Sequence, residues 1–424
     1  MPETPPSASR RRLKAPSSPN ADGISIPHAC AGGPRSERNP MAAWGDGKRG
    51  HASDSLDFPI SFWLDVPQPP LPIGWALETR GHDVRRGFRH PILWRRSPAG
   101  KDPGRAGGSP TMDVIHGLEG IEDSASPTVL TIGNFDGIHL GHQRMLQRLR
   151  RRADAYAVPA VLLTFSPHPV EVLRPHHPHC LLQTLDQKVE TLETLGFVDR
   201  VVVIPFTPEF SRMPAERFVD EVLCRRFHPL RIIVGFNFSF GRGGVGNPEM
   251  LEHFGEKRGF SVEIVAPVEV EGRVVSSSAI RRDLREGRVV SARTRLGRPY
   301  SVRGRVVRGD GRGRTLGFPT ANVEIEGDCC LEKGVYAVQV RRRGESLAGV
   351  ANIGVRPTFS QEEAPSTPLL EVHLFAFHET IYGEHIEVAF IDRIRDEIRF
   401  GGVEALQRQL AEDVREAHRR LEEA

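Results

Sequence analysis

Thr128-Val-Leu-Thr-Ile-Gly-Asn-Phe-Asp-Gly-Ile-His-Leu-Gly-His142 decides how this chain is read, because it runs from a β-branched strand through a glycine-bearing turn into the mouth of a helix. His139 and His142 stand one helical turn apart at that mouth, and two imidazoles beside a helix N-terminus make an anion site. In a nucleotidyl transfer the α-phosphate gathers charge, and preorganised N–H donors aimed at its oxygens lower the barrier. Gly141 leaves space for a nucleotide against the backbone.

The pattern continues outward from this unit. Thr128–Ile132, Ala160–Phe165, Arg200–Ile204, Arg231–Gly235 and Ser261–Ala266 read as strands, alternating with helices over Gln143–Tyr156, Asp186–Leu195, Ala215–Phe227 and Pro248–Arg258. Such alternation predicts an α/β fold with a parallel, doubly wound sheet and a ligand beyond the carboxyl ends of the strands. A second piece of the site follows at Val275-Ser-Ser-Ser-Ala-Ile-Arg281, where serines cap a short helix and Arg281 falls in its first turn. The macrodipole disfavours a cation there, and a phosphate partner compensates.

Gly309-Asp-Gly-Arg-Gly-Arg-Thr-Leu-Gly-Phe-Pro-Thr-Ala-Asn322 is a different kind of phosphate site. Its glycines let backbone N–H groups approach a polyphosphate, while Thr320 and Asn322, two apart on an extended segment, offer oxygens to a hard cation such as Mg²⁺. No Gly-Lys-Ser/Thr follows, so it is not a Walker loop. Around it the helical period stops, and Tyr300–Val307, Ala321–Ile325, Val335–Arg341, Leu347–Ile353, Leu369–Phe377 and His385–Phe390 read as strands. The tail is helical again, with Val403, Leu406, Leu410, Val414 and Leu421 on one face and Glu416 bracing Arg420.

Residues 1–111 differ from the rest. They hold 17 of the 34 prolines, all four tryptophans, and 16 Lys/Arg against 10 Asp/Glu, without a sustained period. The expectation is a disordered extension, or a mis-assigned start with Met112 as the true one; an Arg- and Ser-rich organelle transit peptide is the lesser alternative. Phe58–Leu64 is too short to span a bilayer, and no other run does better. Five cysteines without a Cys-x-x-Cys pair give no disulfide framework, which points to a reducing cytoplasm. Three further features carry little: Gly241-Arg-Gly-Gly-Val-Gly246 falls too late for a dinucleotide turn and reads as a flexible flap, the crowded His176–Cys180 run is a poor zinc site, and Arg148–Arg152 reads as a solvated helix face.

Taken with Thr164-Phe-Ser-Pro-His-Pro169 and Val234-Gly-Phe-Asn-Phe-Ser-Phe-Gly241, the first half resembles the nucleotidylyltransferase superfamily in its FMN adenylyltransferase branch. Gly317-Phe-Pro-Thr-Ala-Asn322, Gly349-Val-Ala-Asn-Ile-Gly-Val-Arg-Pro-Thr358 and Leu370-Glu-Val-His-Leu374 are similar to the riboflavin kinase module that follows that branch in bacterial bifunctional riboflavin kinase/FAD synthetases. The resemblance covers residues 112–424 and implies two domains: a Rossmann-like adenylyltransferase at 112–296, and a six-stranded antiparallel barrel with a terminal helix at 297–424.

It further implies that riboflavin, FMN and ATP with Mg²⁺ are the substrates, with no nucleic acid and no membrane. In the first domain His139 and His142 would be catalytic; Gly133, Phe135, Asp136, Gly141, Ser277, Ser278 and Arg281 would bind ATP; and His168 and Asn237 would position the flavin. In the second, Gly309, Gly311, Gly313, Gly317, Thr320 and Asn322 would hold ATP, the last two also Mg²⁺, and Glu371, on a strand face with His373, would be the base. A riboflavin hydroxyl is a poor nucleophile and benefits from a general base, whereas the FMN phosphate is already anionic. Asn352 and Arg356 would order loops. Asn237 stands where some relatives carry Asp, so it receives no proton-transfer role. The alternatives are that only one activity is retained, or that the basic head marks a nucleic-acid-binding protein, against which the near-neutral body from residue 112 onward argues.

Overall fold

The computed structural model describes residues 112–121, 126–177, 179–309, 311–355 and 368–424. The expectations for residues 1–111 and for Arg356 lie outside that set.

Six parallel strands form one sheet: β1 (Asp113–His116), β2 (Thr128–Ile132), β3 (Ala160–Ser166), β4 (Arg200–Pro205), β5 (Pro229–Gly235) and β6 (Ser261–Val265), in the order β1-β4-β3-β2-β5-β6. All five residues of β2 are buried, as a strand covered on both faces requires. Leu130 and Ile132 enter one apolar cluster with Val219 and Leu223, and Val129 enters the other with Leu146 and Leu149. The chain runs from β2 to β3 on one side and returns to β5 on the other, so β2 is the switch point where a crevice opens.

The helices between these strands are α1 (Leu140–Tyr156), α2 (Pro169–Leu173), α3 (Leu185–Leu195), α4 (Pro208–Ser211), α5 (Ala215–Arg217), α6 (Arg225–Phe227) and α7 (Pro248–Arg258). The helix expected over Ala215–Phe227 is interrupted, because Phe218–Cys224 is π-helical between α5 and α6. β1 was not expected as a strand: four residues are too few to display a period. The Arg148–Arg152 cluster is not simply solvated. Arg148, Arg152 and Arg231 all pair with Glu263 on β6, and Arg150 with Asp154 and Asp199.

After a short hairpin, β7 (Glu269–Val270) and β8 (Arg273–Val274), come α8 (Ser277–Arg285) and α9 (Val289–Leu296). A closed antiparallel barrel follows, built from β9 (Tyr300–Val307), β10 (Ala321–Glu326), β11 (Gly334–Arg342), β12 (Glu345–Val355), β13 (Pro368–Leu374) and β14 (His385–Arg395), with the short α10 (Arg312–Thr315) between β9 and β10. β13 ends at Leu374, three residues short of expectation. β14 runs to Arg395, carried past Phe390 by register shifts against β11 that hid its period.

The terminal helix α11 (Val403–Glu422) lies on the barrel through Val414, Ala417 and Leu421, not through Val403, which is 60% exposed. Buried Asp413 accepts from Arg395 at 2.6 and 2.8 Å, and Glu416 does brace Arg420. One apolar cluster crosses the junction, joining Ile280 and Leu284 of α8 to Tyr300, Val302 and Phe390 of the barrel. A disulfide between Cys180 and Cys330, 150 residues apart, also spans it and corrects the expectation of none.

Candidate active sites

A cavity of about 170 Å³ opens at the carboxyl ends of β2 and β5. The structure gathers there every residue the sequence assigned to the first site: Gly133, Phe135, Asp136, His139, Gly141, His142, His168, Asn237, Ser277, Ser278 and Arg281. His139 is the N-cap of α1, and its Nδ1 accepts the backbone N–H of His142 at 3.3 Å. The two imidazoles stack with centroids 3.7 Å apart. Gly141 serves this stack, since a Cβ there would sit 3.1 Å from the His139 ring. His168 caps α2 by accepting the N–H of Val170, while Glu171 returns a contact to the His168 N–H.

Arg281 is the fifth residue of α8 and not in its first turn as expected, because the cap is Ser276. It is 4% exposed, pairs with Asp136 at 2.5 Å and donates to the Cys180 carbonyl at 2.6 Å. Ser277 donates to the Asp136 carbonyl at 2.9 Å, so turn and helix are fastened to each other.

Burial sets the charge states. It pushes His139 down to about 3, helped by Arg298 and Arg281, and His168 down to about 3, helped by His179. His142 falls well below its usual value for the same reason, with His139 adding repulsion. All three imidazoles are therefore neutral at pH 7. Burial raises the Asp136 carboxyl, with Arg281 and Lys188 opposing that rise.

Two features escaped the sequence reading. One is an aromatic pocket adjoining the first cavity and sharing Ile132, Phe165, Phe238 and Ser239 with it, walled otherwise by Phe206, Phe210, Met213 and Phe240. The phenylalanines at 206, 210, 218, 238 and 240 were the available signal. The Gly241–Gly246 run borders this pocket, Arg242–Gly244 forming a short 3₁₀ turn bridged by Phe240 and Gly246. The other is Lys188, 6% exposed on α3, which donates to the Asn134 carbonyl at 2.8 Å.

The second site lies on the barrel's outer face. Leu370, Val372 and Leu374 turn into the core, which leaves Glu371 and His373 outside, both half-buried. Register sets Glu371 opposite Asn322 on one neighbouring strand and opposite Asn352 on the other. The Gly-rich loop presses on this row: a Cβ on Gly309 would lie 2.2 Å from the Asn322 amide, and one on Gly313 would lie 2.4 Å from the Phe318 carbonyl and 3.1 Å from the Thr320 hydroxyl. Gly311 and Gly317 take positive φ. A cavity of about 130 Å³ holds Gly311 and Thr320 but neither Asn322 nor Glu371. Asn352 reaches Glu397 at 3.4 Å, and His373 Nδ1 lies 2.8 Å from the Pro319 carbonyl. Among the described residues no cluster of three or more His, Cys, Asp or Glu is placed to hold a metal, and this includes His176, His177, His179 and Cys180.

Family models for FAD synthetase and for riboflavin kinase match residues 121–279 and 296–421. The bifunctional riboflavin kinase/FMN adenylyltransferase of Haemophilus influenzae is 39% identical over 307 residues, which is 72% of this chain and 98% of that protein. The chain belongs to the bifunctional riboflavin kinase/FMN adenylyltransferase family. Its counterparts in Listeria monocytogenes and Escherichia coli K12 are 39% and 37% identical, covering 67% and 71% of this chain and 90% and 96% of their own lengths. The crystal structure of a macrolide-efflux protein from Streptococcus pneumoniae superposes with a TM-score of 0.65 at 32% identity, over 72% of this chain and 97% of that one. No helix among the described residues of this family member is long and apolar enough to cross a membrane. Apart from Arg281, the residues lining the first cavity fall in the FAD synthetase match, and the Glu371 row falls in the riboflavin kinase match.

Proposed function

We propose that residues 297–424 phosphorylate riboflavin to FMN with ATP, and that residues 112–296 transfer AMP from a second ATP to FMN, releasing pyrophosphate and forming FAD. The observation that carries this reading is the contrast between the sites: one is lined by neutral imidazoles and a buried Arg, the other is centred on a carboxylate.

In the adenylyltransferase the FMN phosphate is already a nucleophile, so no base is required. His139, His142 and the N-terminus of α1 face the α-phosphate, and Arg281 and Ser277 hold the outer phosphates. The aromatic pocket, lined in part by Phe165 and Phe238, suits the isoalloxazine ring, and His168 and Asn237, which line the adjoining cavity, would position the flavin.

In the kinase Glu371 takes the proton of the ribityl hydroxyl as that oxygen attacks the γ-phosphorus, the bond to the β,γ-bridging oxygen breaks and ADP leaves. Thr320 and Asn322 offer neutral oxygens beside the phosphate loop, which fits Mg²⁺ arriving with ATP, since that ion retains several waters and needs few protein ligands. When bound, the ion neutralises phosphate charge. Dependence of both steps on ATP supports a cytoplasmic location.

The test is to incubate the protein with riboflavin, ATP and Mg²⁺, and separately with FMN, and to resolve the flavins by chromatography. Glu371→Gln should stop FMN formation and spare FAD formation from supplied FMN. His142→Ala should do the reverse. Survival of both activities in either variant overturns that residue's assignment.

A further inference from the structure

Lys188 is the fourth residue of α3, close to an N-terminus where the macrodipole disfavours a cation. It is nevertheless buried and held by polar groups from two other elements. Its ammonium donates to the Asn134 carbonyl at 2.8 Å and to the Thr164 hydroxyl at 3.3 Å, and that hydroxyl also donates to the Asn134 carbonyl at 3.2 Å. Asn134 begins the turn in which Phe135 takes a positive φ of 49° and Asp136 swings round to Arg281. Lys188 does not line the cavity; it supports the turn from behind.

A buried ammonium costs stability, and neutral packing would hold a turn at lower cost. Its charge is useful for another reason. The charged and titratable groups facing it are Asp136 after β2, His142 on α1, His168 at the head of α2 and, through Asp136, Arg281 on α8. The imidazoles are neutral, and Asp136 offsets one cation, so Lys188 and Arg281 together leave one net positive charge beneath a triphosphate.

We propose that Lys188 is a positioning residue of adenylyl transfer, fixing the Asn134–Asp136 turn and supplying the buried positive charge that leaves Arg281 free to act on phosphate while it is paired with Asp136. This rests on the adenylyltransferase reading. Burial lowers the ammonium to about 8, opposed by Asp136, so the charge is present below that pH and lost above it.

The experiment uses the full chain and follows both reactions. Lys188→Met should lower kcat for FAD formation from FMN by about 30- to 100-fold, shift KM for ATP much less, and leave FMN formation from riboflavin within twofold of wild type. Wild-type FAD formation should decline as pH rises through about 8, a limb that Lys188→Met lacks and that the kinase reaction does not share. An FAD-forming kcat within threefold of wild type, or a variant that keeps the alkaline limb, overturns the proposal. If Lys188→Met loses the kinase reaction as well, the wild-type profile decides, and a flat profile through pH 8 to 9 overturns it. A wild-type protein that makes no FAD from FMN at any pH refutes the adenylyltransferase reading instead.

Discussion

Replacing Asp136 with Asn tests whether the first site is organised by buried charge. Asp136 and Arg281 are 3% and 4% exposed, with oxygen and nitrogen 2.5 Å apart. At an effective dielectric of about 20 their attraction is roughly 6–7 kcal/mol, most of it set against the cost of removing both ions from water. Asn keeps the shape and can still accept the Leu182 N–H, which now reaches Asp136 at 3.0 Å. It cannot balance Arg281, and it leaves Lys188 as a second buried cation. Breaking one member of a buried pair costs about 3–5 kcal/mol, and that is the expected loss. Urea unfolding followed by a probe in the first module should show it as a lower midpoint. Adding Lys188→Met removes one of the two unbalanced cations, so the double variant should be more stable than the sum of single losses predicts, by about 1–2 kcal/mol. Saturating ATP should restore more stability to Asp136→Asn than to wild type, because phosphate replaces the missing counter-charge. An unfolding free energy within about 1 kcal/mol of wild type would mean that the carboxyl is protonated in the native protein, and the charge argument for this site would fail.

Glu371→Gln should cut kcat for riboflavin phosphorylation by about 10²- to 10⁴-fold, the usual worth of a general base, with FAD formation from FMN as the internal control. Gly313→Ala should impair the kinase alone, because the added Cβ meets the Phe318 carbonyl at 2.4 Å and a backbone atom cannot step aside cheaply; equal loss of both activities would mean global damage. Acid should destabilise the first module: His139 and His168, each lowered to about 3, stay neutral when folded, whereas the unfolded chain takes protons below its ordinary value of 6.5. Their stabilisation is thus complete above that pH and erodes as pH falls toward 3, by about 2 kcal/mol per imidazole at pH 5. A melting temperature that is unchanged between pH 7 and 5 would contradict the burial of these rings.

The inner strands of the sheet were legible because they are near-continuous apolar runs bounded by turn residues, as Thr128–Ile132 is by Gly133. The barrel was legible for the opposite reason: Leu370, Val372 and Leu374 alternate with Glu371 and His373, so one face declared itself polar. What failed was local. β14 runs past Phe390 because a bulge breaks the two-residue period that sequence reading depends on. Val403 matches the apolar stripe of α11 but lies beyond the part of the helix that meets the barrel. The part of the first cavity lined by 133–142 and 275–281 was visible because those residues fall in two short stretches of sequence. The aromatic pocket draws from strands and turns that are remote in sequence, between Ile132 and Phe240, and no local pattern marks such an assembly. Lys188 was invisible because an amphipathic helix with one lysine looks like any surface helix.

The barrel and the parallel-sheet module meet at α8. Its N-terminal end delivers Ser277, Ser278 and Arg281 to the first cavity, while Ile280 and Leu284 on the same two turns enter the apolar cluster that also contains Tyr300 and Phe390 of the barrel. The Leu284 carbonyl accepts the N–H of Glu332 at 3.0 Å, tying the helix to the segment that leads into β11. A helix that short has little stability of its own and takes its position from what it packs against. The barrel is therefore part of what holds Arg281 in the first cavity, although none of its described residues lines that cavity. An isolated first module would have to rebuild this support, and the apolar face of α8 is the reason the modules share a core and are not merely strung together.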